Sequence, residues 1–120
     1  MEGVSGRVVM ARARRHTIPE DIKKQAEAIV DAFNTHVIRN PNRYYHPRYR
    51  GRFLYLDRVD YGIQKFVCRL TYTGRMDNWE FAIYKYSDER YDPDESMFPG
   101  AGHIDGTIEG AMKAGLEAYP

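Results

Sequence analysis

The sequence lacks the features that are typical of disulfide-stabilised and membrane proteins. It has one cysteine, Cys68, among 120 residues, which excludes an intramolecular disulfide framework. No apolar run approaches the ~20 residues that a transmembrane helix needs. The first ten residues contain no apolar stretch long enough for a signal peptide. We therefore expect a single domain that folds without disulfides in the reducing cytoplasm and does not span a membrane.

The sequence also lacks a recognisable metal-binding or catalytic pattern. Its four histidines, His16, His36, His46 and His103, are far apart, and none has a cysteine at ligand spacing. The turn Gly100-Ala101-Gly102 has neither the lysine nor the spacing of a phosphate-binding loop. We therefore assign no metal, no cofactor and no catalytic residue. A non-enzymatic protein is favoured over an enzyme.

The charges are unevenly distributed along the chain. Residues 1–52 carry 11 Lys/Arg and 5 Asp/Glu, whereas residues 53–120 carry 7 and 12. Such asymmetry is compatible with a basic segment that binds polyanions, but also with two halves that attract each other within one fold or between two copies. Residues 1–16 are basic and poor in apolar residues, and we expect a disordered arm there, followed by one domain over residues 17–120.

Two helices are predicted, one at each end of this domain. The first begins at Thr17-Ile18-Pro19-Glu20, which has the form of a capping box, and should fade between residues 34 and 37. The second has apolar residues every four positions, from Ile104 to Leu116, with Asp105 as its expected N-cap. Its glycines weaken the helix but allow it to lie close to a neighbouring element.

Three β-strands are predicted between Gly51 and Tyr86, over residues 52–59, 65–72 and 79–86, because these runs are rich in β-branched and aromatic residues. The expected turns are Asp60-Tyr61-Gly62 and residues 74–78. One register places Leu56 opposite Phe66, Leu54 opposite Cys68 and Leu70 opposite Phe81. This register gives a core face of Leu54, Leu56, Phe66, Cys68, Leu70, Tyr72, Trp79, Phe81 and Ile83. The opposite face then carries Phe53, Tyr55, Lys65, Val67, Arg69, Thr71, Glu80, Tyr84 and Tyr86.

These elements predict an α+β fold with the order α-β-β-β-α, in which a three-stranded antiparallel meander is flanked by an N-terminal and a C-terminal helix. This order resembles that of the double-stranded RNA-binding domain. That family has a lysine cluster at the start of its second helix, where this chain has Asp105-Gly106-Thr107-Ile108-Glu109. The main RNA contact of the family is therefore missing, and we do not assign the chain to it.

A mixture of tyrosine and basic residues is the best functional lead in the sequence. It occurs in the connector of residues 39–52, where two prolines predict a loop or an edge strand, and on the second face of the sheet. We interpret both as one binding surface, since Tyr and Arg are enriched at protein interfaces. The candidate binding residues are Arg43, Tyr44, Tyr45, Arg48, Tyr49, Arg50, Arg52, Tyr55, Lys65, Arg69, Tyr84 and Tyr86.

Three functional hypotheses follow from this pattern. The first is an interaction module that self-associates as a homodimer or docks a partner through this face. The second is nucleic-acid binding through residues 43–52 and the same face, where arginines would contact phosphates and tyrosines would stack on bases. The third is a small enzyme with a site near His103 and the acidic loop of residues 88–95. The alternative for the same residues is a purely structural role, in which arginine stems pack on tyrosine rings.

Overall fold

The structure is a computed structural model that describes residues 17–120. The arm predicted for residues 1–16 lies outside the described residues. The two helices are α1, Glu20–Phe33, and α2, Ile108–Ala118. A π-helical turn, Asn34–Ile38, extends α1, and a short 3-10 turn, Ala101–His103, precedes α2. The strands are β1 Arg43–Arg50, β2 Phe53–Asp60, β3 Ile63–Thr71, β4 Glu80–Lys85 and β5 Arg90–Asp92.

The α+β class is confirmed, but the sheet has five strands rather than three. All neighbours are antiparallel and follow chain order, so the sheet is a simple meander. The extra strand β1 lies in the basic connector, where Pro47 is tolerated because β1 is an edge. The extra strand β5 lies inside the acidic loop and is only three residues long. This five-stranded order also departs from that of the double-stranded RNA-binding domain.

The register of the first hairpin differs from the prediction for two reasons. The turn is Tyr61-Gly62 alone, with Asp60 already paired to Ile63, and β3 contains a bulge. Leu54 pairs with Leu70 and Leu56 with Cys68, but Asp57 pairs with Phe66, so Val67 has no partner in β2. An extra residue in one strand switches the alternation of side chains beyond it. The predicted positions of Phe66 in the core and Val67 on the opposite face are therefore wrong. Val67 is fully buried, whereas Phe66 is 41% exposed.

The position of the first turn and the register of the second hairpin agree better with the predictions from the sequence. Tyr61 and Gly62 both have positive φ, at 51° and 85°, as a two-residue type I′ hairpin turn requires. Leu70 pairs with Phe81 and Cys68 with Ile83, as predicted.

The core lies between one face of the sheet and the two helices. From the sheet it contains the buried side chains of Leu54, Leu56, Cys68 and Leu70, and the helices contribute Val30, Phe33, Ile108 and Met112. Burial raises the pKa of the Cys68 thiol, as expected for a core cysteine rather than a nucleophile. Gly115 lets α2 approach this face closely, because a Cβ there would come within 2.6 Å of Val67 Cγ1.

Both predicted helix caps are wrong in detail. The residue before α1 is Pro19, and no side chain caps this helix, so the Thr17 capping box does not form. The N-cap of α2 is Thr107, whose Oγ1 accepts from the Gly110 N–H at 3.0 Å. Asp105 instead accepts from the Thr107 N–H, and Gly106 lies before the helix with φ 88°.

Within residues 17–120, no helix is long and apolar enough to cross a membrane.

Candidate interaction face

The sheet face turned away from the helices, here called the open face, is built from alternate residues of all five strands. Residues that pair across neighbouring strands share a face, so the register fixes its members. Its centre consists of aromatic and arginine side chains. These are Arg48 from β1, Phe53 and Tyr55 from β2, Phe66 and Arg69 from β3, Tyr84 from β4 and Tyr91 from β5.

The aromatic rings of the open face pack against one another edge to face. Tyr91 is at the centre, with its ring centroid 5.3 Å from that of Tyr55, 4.9 Å from Tyr84 and 6.5 Å from Phe66. Phe66 and Tyr84 are also in contact, at 5.1 Å. Such pairs each contribute about 0.5–1.5 kcal/mol beyond the area they bury. The face is therefore a second, partly exposed aromatic cluster rather than a set of isolated side chains.

Two guanidinium groups cover the rings of this cluster. Arg48 Cζ lies 4.4 Å from the centroid of Tyr55, and Arg69 Cζ lies 4.6 Å from that of Phe53. These distances are in the range of cation–π contacts. Arg69 Nε is buried and has no hydrogen-bond partner among the described residues.

Arg48 is held in place by a buried carboxylate. Asp57 is fully buried, and its Oδ2 accepts from Arg48 Nε at 2.5 Å and from Gln64 Nε2 at 2.7 Å. The hydrogen bond to Asp57, opposed in part by desolvation, raises the pKa of Arg48. This pair joins the basic N-terminal half of the chain to the acidic half, so part of the charge asymmetry is used within the fold.

The open face is curved, because side chains from its two outer strands meet. Arg48 Nη2 in β1 donates to the Tyr91 hydroxyl in β5 at 3.3 Å. In a flat sheet these strands would lie about 19 Å apart, four spacings of ~4.8 Å, which is farther than an arginine and a tyrosine that stand on the sheet can span. The sheet therefore curls toward its open face.

Four predicted binding residues point to the helix side instead. Tyr45 is buried, and its hydroxyl donates to the Met112 carbonyl at 2.7 Å. Tyr49 donates to the Lys23 carbonyl at 3.2 Å. Arg43 and Lys65 form ion pairs with Asp60, at 3.0 and 3.3 Å. Burial raises the pKa of both tyrosines. Because their partners lie on the helix side, these four residues do not belong to the open face.

The remaining predicted residues lie around the rim of the open face. Tyr44 and Arg50 are exposed members of β1, and Arg50 pairs with Phe53. Arg52 is exposed in the turn, with Cζ 5.6 Å from the Phe53 ring. Tyr86 is 49% exposed, and its hydroxyl donates to the Phe66 carbonyl at 2.7 Å. Among residues 17–120, neither Arg50 nor Arg52 has an ion-pair partner.

Sequence reasoning missed Tyr91, Asp57 and Phe66 as members of the candidate site, and it placed Phe53 on the correct face without naming it as a binding residue. Asp57 follows Tyr55 at a spacing of two, so the alternation of β2 could have placed it on the same face. Phe66 was misplaced by the bulge. Tyr91 stands between Arg90 and Asp92 in a run of charged residues that is typical of a loop, and no local pattern marks it as part of a sheet.

The outer edge of β1 is closed to a further strand. Arg43 N–H donates to the Asn40 carbonyl at 3.0 Å. At Tyr45, the Asn34 side chain takes both backbone groups, with the N–H donating to Oδ1 at 2.8 Å and the carbonyl accepting from Nδ2 at 3.0 Å. Pro47, two residues on, has no N–H to offer. The opposite edge, β5, is very short, so both edges carry the protections that keep sheets from adding strands.

The residues of the third hypothesis do not form a common site. His103 pairs with Glu117 of α2, Nε2 to Oε2 at 2.5 Å, on the exposed surface. In the acidic loop, Asp88, Asp92 and Glu95 lie within 3.9 Å of Lys85 Nζ. Within residues 17–120, no cluster of three or more His, Cys, Asp or Glu side chains is arranged to hold a metal ion.

Comparison of the chain with protein-family models, curated proteins and solved structures gave no match.

Proposed function

We propose that the protein is a non-enzymatic docking module whose open face binds an acidic segment of a partner protein. The single observation that carries the proposal is the composition of this face. Four arginines, at positions 48, 50, 52 and 69, surround a cluster of half-buried aromatic rings, against two carboxylates, Asp57 and Glu80. Tyr and Arg are the residues most often found as binding hot spots.

A partner that lies across the face is favoured over one that extends the sheet. The outer edges are blunted, by Asn34, Asn40 and Pro47 at β1 and by the shortness of β5. The first residues of β3 run past β4, and on that side the Phe66 carbonyl already accepts from the Tyr86 hydroxyl. The open face, by contrast, presents rings and guanidiniums on a curved surface. The proposed partner segment therefore contributes side chains to the face rather than backbone hydrogen bonds to an edge.

Charge favours an acidic partner over a second copy of the chain. A two-fold interface through the open face would bring the same patch together from both copies. The arginines of one copy would then face those of the other, and like charges in contact oppose association. Carboxylates on a partner would instead pair with Arg50 and Arg52, which have no ion-pair partner among the described residues.

An acidic protein segment is also favoured over single-stranded nucleic acid, which has the same charge. Base stacking needs the free face of an aromatic ring. On this surface Arg48 lies over Tyr55 and Arg69 over Phe53, and the other rings pack edge to face with their neighbours. A partner with carboxylates and apolar side chains fits such a surface without displacing the guanidiniums.

The test compares two variants that make the same change of net charge in different places. Arg50→Glu with Arg52→Glu alters the rim of the open face, whereas Lys24→Glu with Lys113→Glu alters the exposed sides of α1 and α2. The probe is a fluorescein-labelled peptide that alternates glutamate with leucine and phenylalanine, followed by fluorescence anisotropy. We expect the open-face variant to bind it at least ~10-fold more weakly, and the helix variant to bind like the wild type.

Each other outcome would overturn the proposal in a different way. Equal weakening in both variants would show nonspecific attraction. Tighter binding of labelled oligothymidylate, with a steep loss of affinity in salt, would assign the face to nucleic acid. A dimer in light scattering that the open-face variant converts to a monomer would assign it to self-association.

A further inference from the structure

A cleft of about 440 Å³ opens beside the open face, where β3 runs past the end of β4. Pairing between these strands begins only at Cys68, so the first residues of β3 have no neighbour on that side. The walls are Lys65 and Phe66 of β3, Tyr86 after β4 and Tyr119 after α2. The volume is within the range of small-molecule sites, which runs from about 300 to 1,000 Å³.

The polar wall of this cleft holds an excess of positive charge. Arg58 and Lys65, which line the cleft, and Arg43, which lies behind its wall, all pair with the single carboxylate of Asp60, at 3.3, 3.3 and 3.0 Å. Among the described residues, none of the three has a second carboxylate within ion-pair distance. One negative charge therefore serves three cations, and an additional anion would be attracted to this wall.

Arg58 is the second cation that lines the cleft, and it is held by the fold. Only 1% of its surface is exposed. Its Nε donates to Asp60 and its Nη2 to the Tyr119 carbonyl, but Nη1 is buried and has no hydrogen-bond partner among residues 17–120. A buried polar group without a partner destabilises the fold, and more so when it is charged.

The remaining walls are aromatic and apolar, from Phe66, Tyr86 and Tyr119 with Ala118 and Pro120. Tyr86 and Tyr119 lie edge to face, with ring centroids 5.5 Å apart, and the Tyr86 hydroxyl closes one side by its bond to the Phe66 carbonyl. Rings on one side and cations on the other suit a ligand that is flat and apolar at one end and negatively charged at the other. Guanidinium groups match the planar oxygens of carboxylates and phosphates.

We propose that this cleft binds a small organic oxyanion, a carboxylate or phosphate group on a flat apolar body, with its oxygens toward Arg58 and Lys65. The site is separate from the proposed docking function, and the two surfaces share only Phe66 and the rim residue Tyr86. Binding would balance the excess of positive charge around Asp60. The Tyr119 carbonyl, which occupies Arg58 Nη2, lies at the boundary of the site.

The test measures binding of naphthoate, naphthyl phosphate and the neutral naphthamide by calorimetry. Lys65→Gln removes one cation from an exposed position, so the protein should fold normally, and Lys24→Gln is the matched control. Arg58→Lys is a second variant, since loss of this buried side chain is more disruptive. We expect at least one of the two anions to bind at least ~10-fold more tightly than naphthamide, and to lose about 10-fold in affinity in Lys65→Gln but not in Lys24→Gln.

The two anions also identify the preferred group, since a preference for naphthoate indicates a carboxylate and a preference for naphthyl phosphate a phosphate. The proposal is overturned if neither anion binds saturably, if naphthamide binds as tightly as both anions, or if Lys65→Gln and Lys24→Gln behave alike. Anion binding that is lost in Arg50→Glu with Arg52→Glu but kept in Lys65→Gln would place the ligand on the open face instead. That result would contradict the cleft proposal without affecting the docking proposal.

Discussion

At the scale of single residues, Asp57 shows how the open face is kept in one arrangement. A fully buried carboxylate is stable only with its partners, which here are Arg48 and Gln64. Arg48 in turn covers Tyr55 and reaches Tyr91, so one buried charge positions residues from three strands. Arg48, a predicted binding residue, thus also has a structural role.

Replacing Arg48 should therefore cost more than replacing an ordinary surface arginine. Arg48→Met leaves Asp57 buried with only Gln64, and we expect a loss of roughly 2–4 kcal/mol in the free energy of unfolding. This is below the 3–5 kcal/mol typical of fully buried pairs, since the Arg48 side chain is 38% exposed. Urea denaturation measures the effect.

The double variant Arg48→Met with Asp57→Leu is the control, because it removes both charges together. It should be more stable than Arg48→Met alone. If the double variant is the less stable of the two, then the unpaired carboxylate is not the cause of the loss.

Asp60 predicts a distinct dependence of stability on pH. Burial alone would raise its pKa, but hydrogen bonds and charges from Arg43, Arg58 and Lys65 outweigh burial and lower it. A carboxyl group with a lowered pKa in the folded state contributes stability above its unfolded pKa of about 3.9. That contribution is lost as the pH falls through the lower, folded value.

The free energy of unfolding of the wild type should therefore fall more steeply on acidification below pH ~4 than that of Asp60→Asn. Asp21→Asn, on the exposed side of α1, controls for the loss of a charge. Chemical denaturation at a series of pH values gives both slopes. Parallel curves for wild type and Asp60→Asn would refute the prediction.

At the scale of elements, the strands that were predicted and those that were missed differ in a physical way. Apolar alternation in β2, β3 and β4 marks strands that bury one face, and the sequence predicts these well. In β1, tyrosine alternates with basic residues and Pro47 interrupts the run, so the edge strand reads as a connector. In β5, Tyr91 is flanked by charged residues, so the pattern predicts a loop rather than a strand of three residues.

The bulge at Val67 explains the largest error in the predicted site. The sequence Phe66-Val67-Cys68 offers three consecutive apolar residues, and no pattern indicates which of them is the extra one. Packing selects Val67 as the extra residue, because its side chain lies against α2 at Gly115, where a Cβ would come within 2.6 Å of Val67 Cγ1. The faces of a strand on both sides of a bulge cannot be assigned from alternation alone.

Helix α2 should depend on its N-cap, whereas α1 should not. Thr107 Oγ1 accepts from the Gly110 N–H, and Thr107→Ala should lower the free energy of unfolding by about 1 kcal/mol. Thr17→Ala is the matched control, because no side chain caps α1, and it should change little. Thermal denaturation of both variants measures the difference, and equal effects would contradict the assignment of the caps.

At the scale of the whole molecule, the helices cover one face of a curled sheet and leave the other open between two protected edges. The composition of the sequence correctly indicated that tyrosines and arginines cluster. It could not indicate that Arg43, Tyr45 and Tyr49 turn toward the helices, because β1 was not predicted as a strand, and its register against β2 separates these residues from Arg48 and Arg50. Lys65 lies in a predicted strand, and the bulge in β3 turns it to the helix side.

The most direct test of the central claim is to map where the acidic peptide binds, by following backbone amide chemical shifts of the protein during a titration. The docking proposal predicts that the shifts concentrate on the open face, at Arg48, Tyr55, Arg69 and Tyr91, and disappear in Arg50→Glu with Arg52→Glu. Shifts confined to α1, α2 or the loop residues outside β5 would contradict it, because the peptide would then bind to a surface other than the open face.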